Sequence, residues 1–558
     1  MPSELDRRFD AVADTFTGAG GLLATAPDAD GRLIVPGLPA TVSGYLDLFC
    51  QTYGHVTAVI AGEEHLTFAE LGRHADAAAR ALVGAHGVKP GDRVGIAMRN
   101  APAWIVSYMA VIKAGGIATL VNGWWQRHEL AHGLRLTEPT LVIADAPRTV
   151  RLAEADFAGP VLTLPIERPI AEAMAPLTLA GHEAAVLPTV NADDDATILF
   201  TSGSTGEAKG AVSTHRAVTT AIYNFAATFA SMKALRVENG EDADSIVPVA
   251  LISVPFFHVT GEVPLLLGSF IVARGMVLMP KWDAGEALRL IEKHRVTYFL
   301  GVPTMSLELL VHPDREKYDL STLTDLGAGG APRPVAHVER MRAEMGQAQP
   351  ALGYGLTETN AVGCSNFWSN YAEKPESTGR AQRLVEVSIL DDAGRSVSTG
   401  ARGEIAIRSA AIARGYWHNE AATRAAFTRD GYFLTGDIGV LDADGYLFIV
   451  DRKKDIIIRG GENISCQEVE AAIYAHPAVA EACVFGLADE RLGEVPGAVV
   501  HLEPDETLDE AGLRAFLADR MAAFKQPAAL WFHDEPLPKL GTGKIDKVGL
   551  RDRYRVTA

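Results

Sequence analysis

The sequence predicts an α/β fold: a large N-terminal domain of two doubly wound α/β subdomains plus a small β-rich subdomain, and a small C-terminal α+β domain. Three observations predict it. Apolar strand-like segments alternate with helical patterns from Val42 onward, as in parallel sheets. From Glu386 the pattern changes to short strands separated by turns. After the charged segment Asp451–Asp455, the remaining chain is long enough for one small domain of about 100 residues.

These observations place the domain boundaries. We expect a large domain over residues 1–451, a hinge at residues 452–456 and a small domain over residues 457–558. The length of 558 residues corresponds to about three to four domain-sized units. Residues 1–40 are rich in Gly, Ala and Asp, so we predict an irregular segment there.

The individual elements follow from hydrophobic periodicity. In the first segment we predict a strand edge at Leu66–Phe68, helices at Ala75–Leu82, Ala103–Ala114 and Glu129–Leu136, and strands at Arg93–Met98, Ile117–Val121 and Leu141–Ala144. In the second we predict strands at Ser253–His258, Tyr298–Leu300 and Leu323–Gly327, a helix at Ala284–His294, and then short strands at Val387–Leu390, Gly403–Ile407 and Tyr446–Val450. The last segment predicts helices at Cys466–Tyr474 and Glu510–Arg520 and strands at Glu481–Phe485 and Pro496–Leu502.

Composition excludes some classes of partner. The net charge of −19 argues against nucleic acid or an anionic membrane as the main partner, although a local basic patch and peripheral membrane contact remain open. The N-terminus has no apolar run, so we expect no secretory signal. The longest apolar stretches contain Lys113 and Arg274, which argues against a transmembrane segment. The four cysteines show neither CxxC pairing nor metal spacing, as in a cytoplasmic enzyme with reduced thiols.

The stretch Thr201–Gly210 carries the strongest chemical signal. Its glycines let backbone N–H groups turn inward, and its Ser, Thr and Lys side chains add donors, which suits phosphate oxygens. It follows the apolar strand Ala196–Phe200 and precedes a helix capped by Thr214, so we predict a loop between a strand and a helix. It is not a Walker A loop, because Ala208 and Gly210 break that pattern. By composition alone, a Ser/Gly-rich surface loop is equally possible.

Five motifs in order resemble those of the adenylate-forming superfamily, which includes acyl-CoA synthetases, peptide-synthetase adenylation domains and luciferases. The phosphate loop departs from the family pattern only at Ala208, where Pro is usual. The resemblance spans about Val42 to Lys547 and is carried by Thr201–Gly210, Gly353–Glu358, Tyr432–Asp437, Asp451–Glu470 and Pro538–Lys544.

The resemblance implies the role of each site residue. ATP would be held by residues of the five motifs and by four residues outside them, with Glu358 binding Mg²⁺ through oxygen. Charge growing on phosphate during adenylation would be met by positioned cations. The implied nucleotide-binding residues are Thr201, Ser202, Gly203, Ser204, Thr205, Gly206, Lys209, Gly330, Ala331, Pro332, Tyr354, Gly355, Thr357, Asp437, Ile449, Arg452 and Lys544, and the implied catalytic residues are Lys544, Thr205, Lys209, His258 and Glu358.

Within the superfamily, the sequence resembles the acyl-CoA synthetase branch. Amino-acid-activating domains usually have Asp at the position of His258, and we expect no carrier domain because the chain ends fourteen residues after Lys544. Gly460 and Gly461 match the glycines that line the channel for the pantetheine arm of CoA, and Lys454 matches the hinge residue. The resemblance therefore implies ATP, Mg²⁺ and CoA, a small carboxylic acid as substrate, and a monomer or homodimer.

The acid is less determined than the reaction. Small and apolar residues favour a medium- or long-chain fatty acid, while an aryl, alicyclic or steroid acid, a luciferase-like enzyme and a non-catalytic nucleotide-binding relative remain alternatives. Glu262 either pairs with a basic neighbour or meets a polar group of the substrate. The predicted acyl-pocket residues are Phe257, His258, Thr260, Gly261, Pro264, Ala328, Gly329, Gly330, Gly353, Asn360 and Val362.

Overall fold

The computed structural model describes residues 2–179, 181–202, 208–243, 245–331, 333–345, 348–453, 455–459, 462–518, 520–540 and 543–555. The described strands are β1 (Ala26–Pro27), β2 (Leu33–Ile34), β3 (Thr57–Ala61), β4 (Glu64–Thr67), β5 (Arg93–Ala97), β6 (Ile117–Leu120), β7 (Leu141–Asp145), β8 (Val161–Leu164), β9 (Asp195–Ser202), β10 (Ala208–Thr214), β11 (Val249–Ile252), β12 (Gly275–Leu278), β13 (Tyr298–Gly301), β14 (Asp325–Gly329), β15 (Gln349–Gly355), β16 (Gly363–Phe367), β17 (Gly379–Ala381), β18 (Glu386–Leu390), β19 (Gly403–Arg408), β20 (Gly415–Tyr416), β21 (Phe433–Leu441), β22 (Tyr446–Arg452), β23 (Ile457–Arg459), β24 (Glu462–Ile464), β25 (Val479–Asp489), β26 (Gly493–Leu502) and β27 (Ala529–Phe532).

Helices cover the faces of these sheets. The described α-helices are α1 (Glu4–Thr17), α2 (Val42–Thr52), α3 (Phe68–Gly84), α4 (Pro102–Lys113), α5 (Arg127–Thr137), α6 (Ala146–Glu154), α7 (Ile170–Ala173), α8 (His215–Glu238), α9 (Gly268–Ile271), α10 (Ala284–His294), α11 (Pro303–Val311), α12 (Val335–Glu344), α13 (Trp368–Glu373), α14 (Glu420–Ala426), α15 (Cys466–Tyr474), α16 (Glu510–Ala518) and α17 (Lys547–Arg555). A π-helix spans Gly261–Leu267, and short 3₁₀ helices span Arg315–Lys317, Thr357–Thr359 and Ala523–Lys525.

The predicted α/β fold is confirmed. Among the described strands, one sheet has seven members in the order β20-β10-β9-β6-β5-β7-β8, and a second has thirteen in the order β18-β19-β21-β22-β17-β16-β15-β14-β13-β11-β12-β3-β4. The centre of each is parallel, as the alternation of strands and helices predicts. The short strands after Glu386 form as predicted and extend the second sheet through antiparallel pairs.

The core lies between the two sheets. Every residue of α4 is buried, as expected for a helix that is apolar on all sides, and it packs against α2 and α3. The same buried cluster includes Ile96 of the first sheet and Ile252 of the second, so one continuous core joins them. Lys113, the charge within this apolar stretch, pairs with Asp47 and Asp76.

The C-terminal domain has its own sheet and core. Its described strands form the order β24-β23-β26-β25, with β27 beside β26. Helix α15 begins and ends where predicted, and it packs on β25 through Val469 and Ile473. Among the described residues, every helix is too short or too polar to cross a lipid bilayer.

Three local predictions are wrong. Residues 1–40 are not irregular throughout, because Ser3 and Asp6 form a capping box that starts α1, and its apolar face packs on α8. Ser253–His258 is not a strand: β11 ends at Ile252, and the Asn100 side chain accepts the Phe256 N–H in place of a strand partner. The Gly-rich stretch does not connect a strand to a helix.

The Gly-rich stretch instead joins two antiparallel strands. Thr201 of β9 pairs with Lys209 of β10, and α8 begins only after β10, at the Thr214 cap. The residues after the loop pair with β9 up to Thr214, so the helix can start only after this strand. This hairpin fixes both ends of the predicted phosphate loop at the edge of the first sheet.

Candidate active site

A cleft of about 3270 Å³ is lined by both domains. It follows the carboxyl ends of β13, β14 and β15, where parallel α/β sheets usually bind ligands. The predicted residues that line it are Thr201, Lys209, Phe257, His258, Thr260, Pro264, Ala328, Gly329, Gly330, Ala331, Gly353, Tyr354, Gly355, Thr357, Glu358, Asp437, Ile449, Arg452 and Lys544.

Some predicted positions lie outside the described residues, so their roles stay predictions. They are Gly203, Ser204, Thr205 and Gly206 of the phosphate loop, Pro332, the predicted hinge Lys454, and the predicted channel glycines Gly460 and Gly461. Ser202 is described only by its backbone at the end of β9.

Three predicted acyl-pocket residues do not line the cleft. Asn360 is fully buried, and its side chain makes structural hydrogen bonds: Nδ2 donates to the Ala411 carbonyl and Oδ1 accepts from Ser213. Val362 is fully buried in the core. Gly261 lies at the start of the π-helix, where a β-carbon would be 2.1 Å from the Pro255 carbonyl oxygen. The fold places these three candidate pocket residues in the protein interior, away from the cleft surface.

Asp437, Arg452 and Tyr354 form one group in the cleft. Asp437 and Arg452 are register partners on β21 and β22, and Oδ1 of Asp437 lies 3.3 Å from Nε of Arg452. Oδ2 of Asp437 accepts a hydrogen bond of 2.7 Å from the Tyr354 hydroxyl. Burial, together with the carboxylate, raises the pKa of Tyr354 well above its usual value. The carboxylate is therefore held in place between Tyr354 and Arg452.

A second group surrounds Glu358. The Tyr416 hydroxyl donates to Glu358 Oε1 at 2.7 Å, and Lys209 Nζ lies 4.8 Å from the centre of the Tyr416 ring. Tyr416 was not predicted, because it reaches the site only through the pairing of β20 with β10. The group fits Mg²⁺, since one carboxylate together with substrate phosphates is a usual ligand set for this ion. Within the described ranges, no three His, Cys, Asp or Glu side chains gather into an all-protein metal site.

Lys544 brings the small domain into the cleft. A β-carbon on Gly330 would be 2.9 Å from Lys544 Cε, and one on Gly543 would be 2.9 Å from Val302 Cγ2. Lys539 Nζ approaches Glu308 of the large domain at 3.6 Å. Enclosure in the cleft lowers the pKa of Lys544 to about 8, with the Arg452 cation adding to the effect and Asp437 opposing it.

His258 is a neutral donor in this arrangement. Burial, with a smaller effect of the Lys544 cation, lowers the pKa of its imidazole to about 3. Its Nδ1 accepts the Thr260 N–H at 3.2 Å, so the neutral ring carries its proton on Nε2. The ring lines the cleft, and Nε2–H is therefore the group it can offer to a ligand.

In the described part of the chain, Glu262 neither pairs with a basic neighbour nor reaches the substrate cleft, the two predicted alternatives. It has no basic partner among the described residues and does not line the cleft; its Oε1 accepts from the Tyr108 hydroxyl at 2.8 Å. Oε2 is buried without a hydrogen-bond partner. Burial raises the pKa of this carboxyl to about 8, against a smaller lowering effect of Tyr108.

The cleft therefore combines anchored hydrogen-bond acceptors with cations from both domains. Asp437 can accept from hydroxyl groups, while Lys209, Arg452 and Lys544 can meet negative charge. Such preorganised charges can stabilise a transition state whose charge grows on phosphate oxygens. The groups converge only because β10, β15, β21 and the C-terminal domain meet at one edge.

Comparison with known sequences agrees with this geometry. The profile described as AMP-binding enzyme matches residues 46–417, and the one described as AMP-binding enzyme C-terminal domain matches residues 468–544. A long-chain-fatty-acid–CoA ligase of Bacillus subtilis is 33% identical over 83% of this chain and 86% of its own. The 3-[(3aS,4S,7aS)-7a-methyl-1,5-dioxo-octahydro-1H-inden-4-yl]propanoyl:CoA ligase of Mycobacterium tuberculosis is 35% identical over 92% of this chain and 98% of its own.

A solved structure agrees as well. The crystal structure of ATP-bound MatB from Rhodopseudomonas palustris superposes with a TM-score of 0.79 and 29% identity. The match covers 91% of this chain and 99% of that one, so it includes both domains.

Proposed function

This chain belongs to the AMP-binding enzyme family, in the acyl-CoA synthetase branch of the adenylate-forming superfamily, and we propose that it is an ATP-dependent acid–CoA ligase. A carboxylate oxygen attacks the α-phosphorus of ATP, the bond to pyrophosphate breaks, and an acyl-adenylate forms. The CoA sulfur then attacks the acyl carbon, the bond to AMP breaks, and the thiol proton passes to solvent.

One observation carries the proposal: Lys544 of the small domain reaches the cleft at Gly330, close enough to Asp437 and His258 to interact electrostatically with both. A lysine at this point can meet both the α-phosphate and the substrate carboxylate. Since the two anions repel each other, a cation between them lowers the barrier to attack.

The other residues position the reactants. Asp437 accepts from the ribose hydroxyls, Arg452 donates to the same hydroxyls, and Lys209 meets the terminal phosphates. Glu358 would hold Mg²⁺, which supplies charge neutralisation when bound. His258 Nε2–H would face the reacting carboxyl group.

The second step requires a different arrangement. With Lys544 at the reacting centre, the CoA thiol would be kept away from the acyl carbon, so we propose that the small domain moves between the steps. We assign this movement to a hinge at residues 452–456, between domains at residues 1–451 and 457–558, with Lys454 as the pivot. Gly460 and Gly461 would then line the pantetheine channel.

For the acid, we propose a medium- or long-chain fatty acid. The cleft wall beside the reaction centre is built from small residues, Ala328, Gly329 and Gly353, which leave room for a chain. One face of α8 extends the lining over twelve residues, about 18 Å of helix, through Phe225, Thr228, Phe229, Met232, Lys233 and Arg236. Because polar groups occur among these, a ring-bearing keto acid like that named for the M. tuberculosis relative is a second candidate.

The decisive experiment is CoA-dependent AMP release from ATP. We expect turnover with acids in a panel of C2 to C18 fatty acids plus aryl and steroid-type acids, with pyrophosphate release preceding thioester formation. ATP binding without AMP release on any acid would instead identify a non-catalytic relative.

We also propose a cytoplasmic location. All four cysteines are buried and unpaired, which a reducing compartment preserves. Thiol labelling of the protein, unfolded after isolation from the cytoplasmic fraction, checks this: we expect all four cysteines to react. Cysteines linked by disulfides in the native protein would contradict the proposed location.

A further inference from the structure

Arg274 is a buried cation on the wall of the acyl cleft. It follows the π-helix and α9 in the chain and is only 3% exposed, yet it lines the cleft together with Phe229, Tyr298 and Pro264. The guanidinium carbon lies 4.7 Å from the Tyr298 ring centre and 5.2 Å from that of Phe229. Such ring contacts support a desolvated cation.

The protein satisfies this guanidinium only in part. Nη2 donates to the Pro264 carbonyl at 2.8 Å and Nε donates to Ser269 Oγ at 3.0 Å. Both acceptors are neutral. In the part of the chain that the structure describes, Nη1 makes no hydrogen bond, and no carboxylate lies within ion-pair distance of the group. A desolvated charge without an opposite charge is costly, so a ligand acceptor would be favourable here.

The carboxylate whose charge acts on Arg274 already has partners of its own. Asp325 at the start of β14 pairs with Arg236 at 2.9 Å and accepts a hydrogen bond from Thr324 at 2.9 Å. Its charge acts on Arg274 only through space. The cleft therefore presents a cation whose charge no neighbouring side chain neutralises by contact.

Strand register gives the distance from the reaction centre. Tyr298 begins β13, and Gly301, three residues or about 10 Å further on, ends it at the carboxyl edge. The Tyr298 hydroxyl lies 3.7 Å from a β-carbon built on Gly327, which precedes the pocket residue Gly329 by two positions. The Arg274 guanidinium contacts this ring, and Val302, the residue after Gly301, lies beside Gly543, which precedes Lys544. On the order of 10 Å of strand therefore separates the ring contact from the edge where Lys544 enters.

We propose that Arg274 selects acids that carry a second oxygen acceptor, roughly 10 Å from the reacting carboxyl group. This inference rests on the proposed acid–CoA ligase function and deepens it. A keto oxygen or a second carboxylate would accept from Nη1, while the terminal methyl of a plain fatty acid would leave that donor unpaired. Arg274 touches the substrate tail and not the reacting atoms, so it is a specificity residue.

The test compares three series of acids of six to twelve carbons: monocarboxylic acids, their oxo acids with the ketone next to the terminal methyl, and α,ω-dicarboxylic acids. We expect kcat/KM for the acids of one of the two series, the oxo acids or the dicarboxylic acids, to exceed kcat/KM for the monocarboxylic acid of equal length by at least tenfold. In Arg274→Met this ratio should fall to near one or invert. The oxo and dicarboxylic arms distinguish a neutral acceptor from an anion.

Two further measurements separate selection from a purely structural role. Ser269→Ala removes the internal partner of Nε but keeps the cation, so the preference should survive in it. If Arg274→Met fails to fold, calorimetry on the wild-type protein with a non-hydrolysable ATP analogue compares the affinities of the same acids.

Equal affinities of the wild-type protein for the three series, or an unchanged kcat/KM ratio in a folded Arg274→Met, would overturn the inference. Turnover of monoacids in that case leaves the ligase function intact, whereas no turnover of any acid contradicts the ligase function itself.

Discussion

The Lys544 side chain of the small domain lies directly against Gly330 of the large domain, where a β-carbon would be 2.9 Å from Lys544 Cε and 3.1 Å from Nζ. Gly330 has φ +75, a conformation that glycine adopts freely. This contact connects the fold of the second sheet to the chemistry, since the absence of a side chain at one residue makes room for a cation from another domain.

We therefore predict that Gly330→Ala impairs adenylation selectively. The added methyl group should displace Lys544 and slow acyl-adenylate formation by at least about tenfold, equivalent to about 1.4 kcal/mol of barrier. Thioester formation from supplied acyl-adenylate should be spared, and quenched-flow assays of the two half-reactions measure this.

The control for Gly330→Ala is Gly394→Ala. Gly394 also has φ +75, but nothing lies within 4 Å of a β-carbon there. It therefore reproduces the backbone strain without the contact. If both variants lose adenylation equally, strain and not the Lys544 contact is responsible.

The pKa of about 8 for Lys544 predicts a pH dependence of the first step. Because the pKa is lowered, the ammonium form is present below about pH 8 and is lost above it. We expect kcat/KM for adenylation to fall above pH 8, approaching tenfold per unit, while thioester formation lacks this decline. Lys544→Arg should remove the decline at the cost of a lower rate, since guanidinium stays charged. A wild-type profile flat to pH 10 would contradict the assignment.

Asp437→Ala should weaken ATP binding by roughly 2–3 kcal/mol, because charge-assisted hydrogen bonds to the ribose are lost. Isothermal titration calorimetry measures this. Asp437→Asn is the matched variant: it can still accept from Tyr354 but lacks the charge facing Arg452, and we expect a smaller loss. Unchanged affinity in Asp437→Ala would refute the ribose role.

Lys454→Pro and Lys544→Ala should show opposite patterns. Proline fixes φ near −65°, so Lys454→Pro should keep adenylation but slow thioester formation at least about a hundredfold, roughly 2.7 kcal/mol of barrier. Lys544→Ala should lose adenylation by a similar or larger factor and retain the second step. Both variants are assayed in both half-reactions; the same pattern of loss in each would mean that rotation of the small domain does not separate the steps.

The raised pKa of Glu262 predicts that the free energy of unfolding depends on pH. Its folded-state pKa of about 8 lies above the usual 4.5, so the native state holds a proton that the unfolded state releases between these values. Stability should fall as pH rises through this window, by at most about 1.4 kcal/mol per unit. Glu262→Gln should remove this loss, and its melting temperature relative to wild type should rise from pH 5 to pH 8.

Tyr108→Phe tests the same carboxyl from the other side. It removes the hydrogen bond to Glu262 Oε1, so both carboxyl oxygens would be buried without partners and the melting temperature should drop. A melting-temperature difference between Glu262→Gln and wild type that is independent of pH would contradict the assignment of the buried proton.

Local chemistry determined much of this protein from sequence alone. Hydrophobic alternation predicted the parallel strands, and five motifs identified the family and named Lys209, Glu358, Asp437, Arg452 and Lys544, which all line one cleft. Such signals are readable because periodicity and short motifs are properties of neighbouring residues.

Tertiary structure decided the rest, because it depends on pairings between distant segments. Tyr416 joins Glu358 only through the pairing of β20 with β10, and Asn360 leaves the pocket because Ala411 and Ser213 satisfy its amide. Arg274 stands in an apolar stretch where its sequence context argues only against a membrane span. Only the packing of Phe229, Tyr298 and Pro264 around Arg274 shows that its charge is not neutralised by contact, and no local sequence pattern encodes that packing.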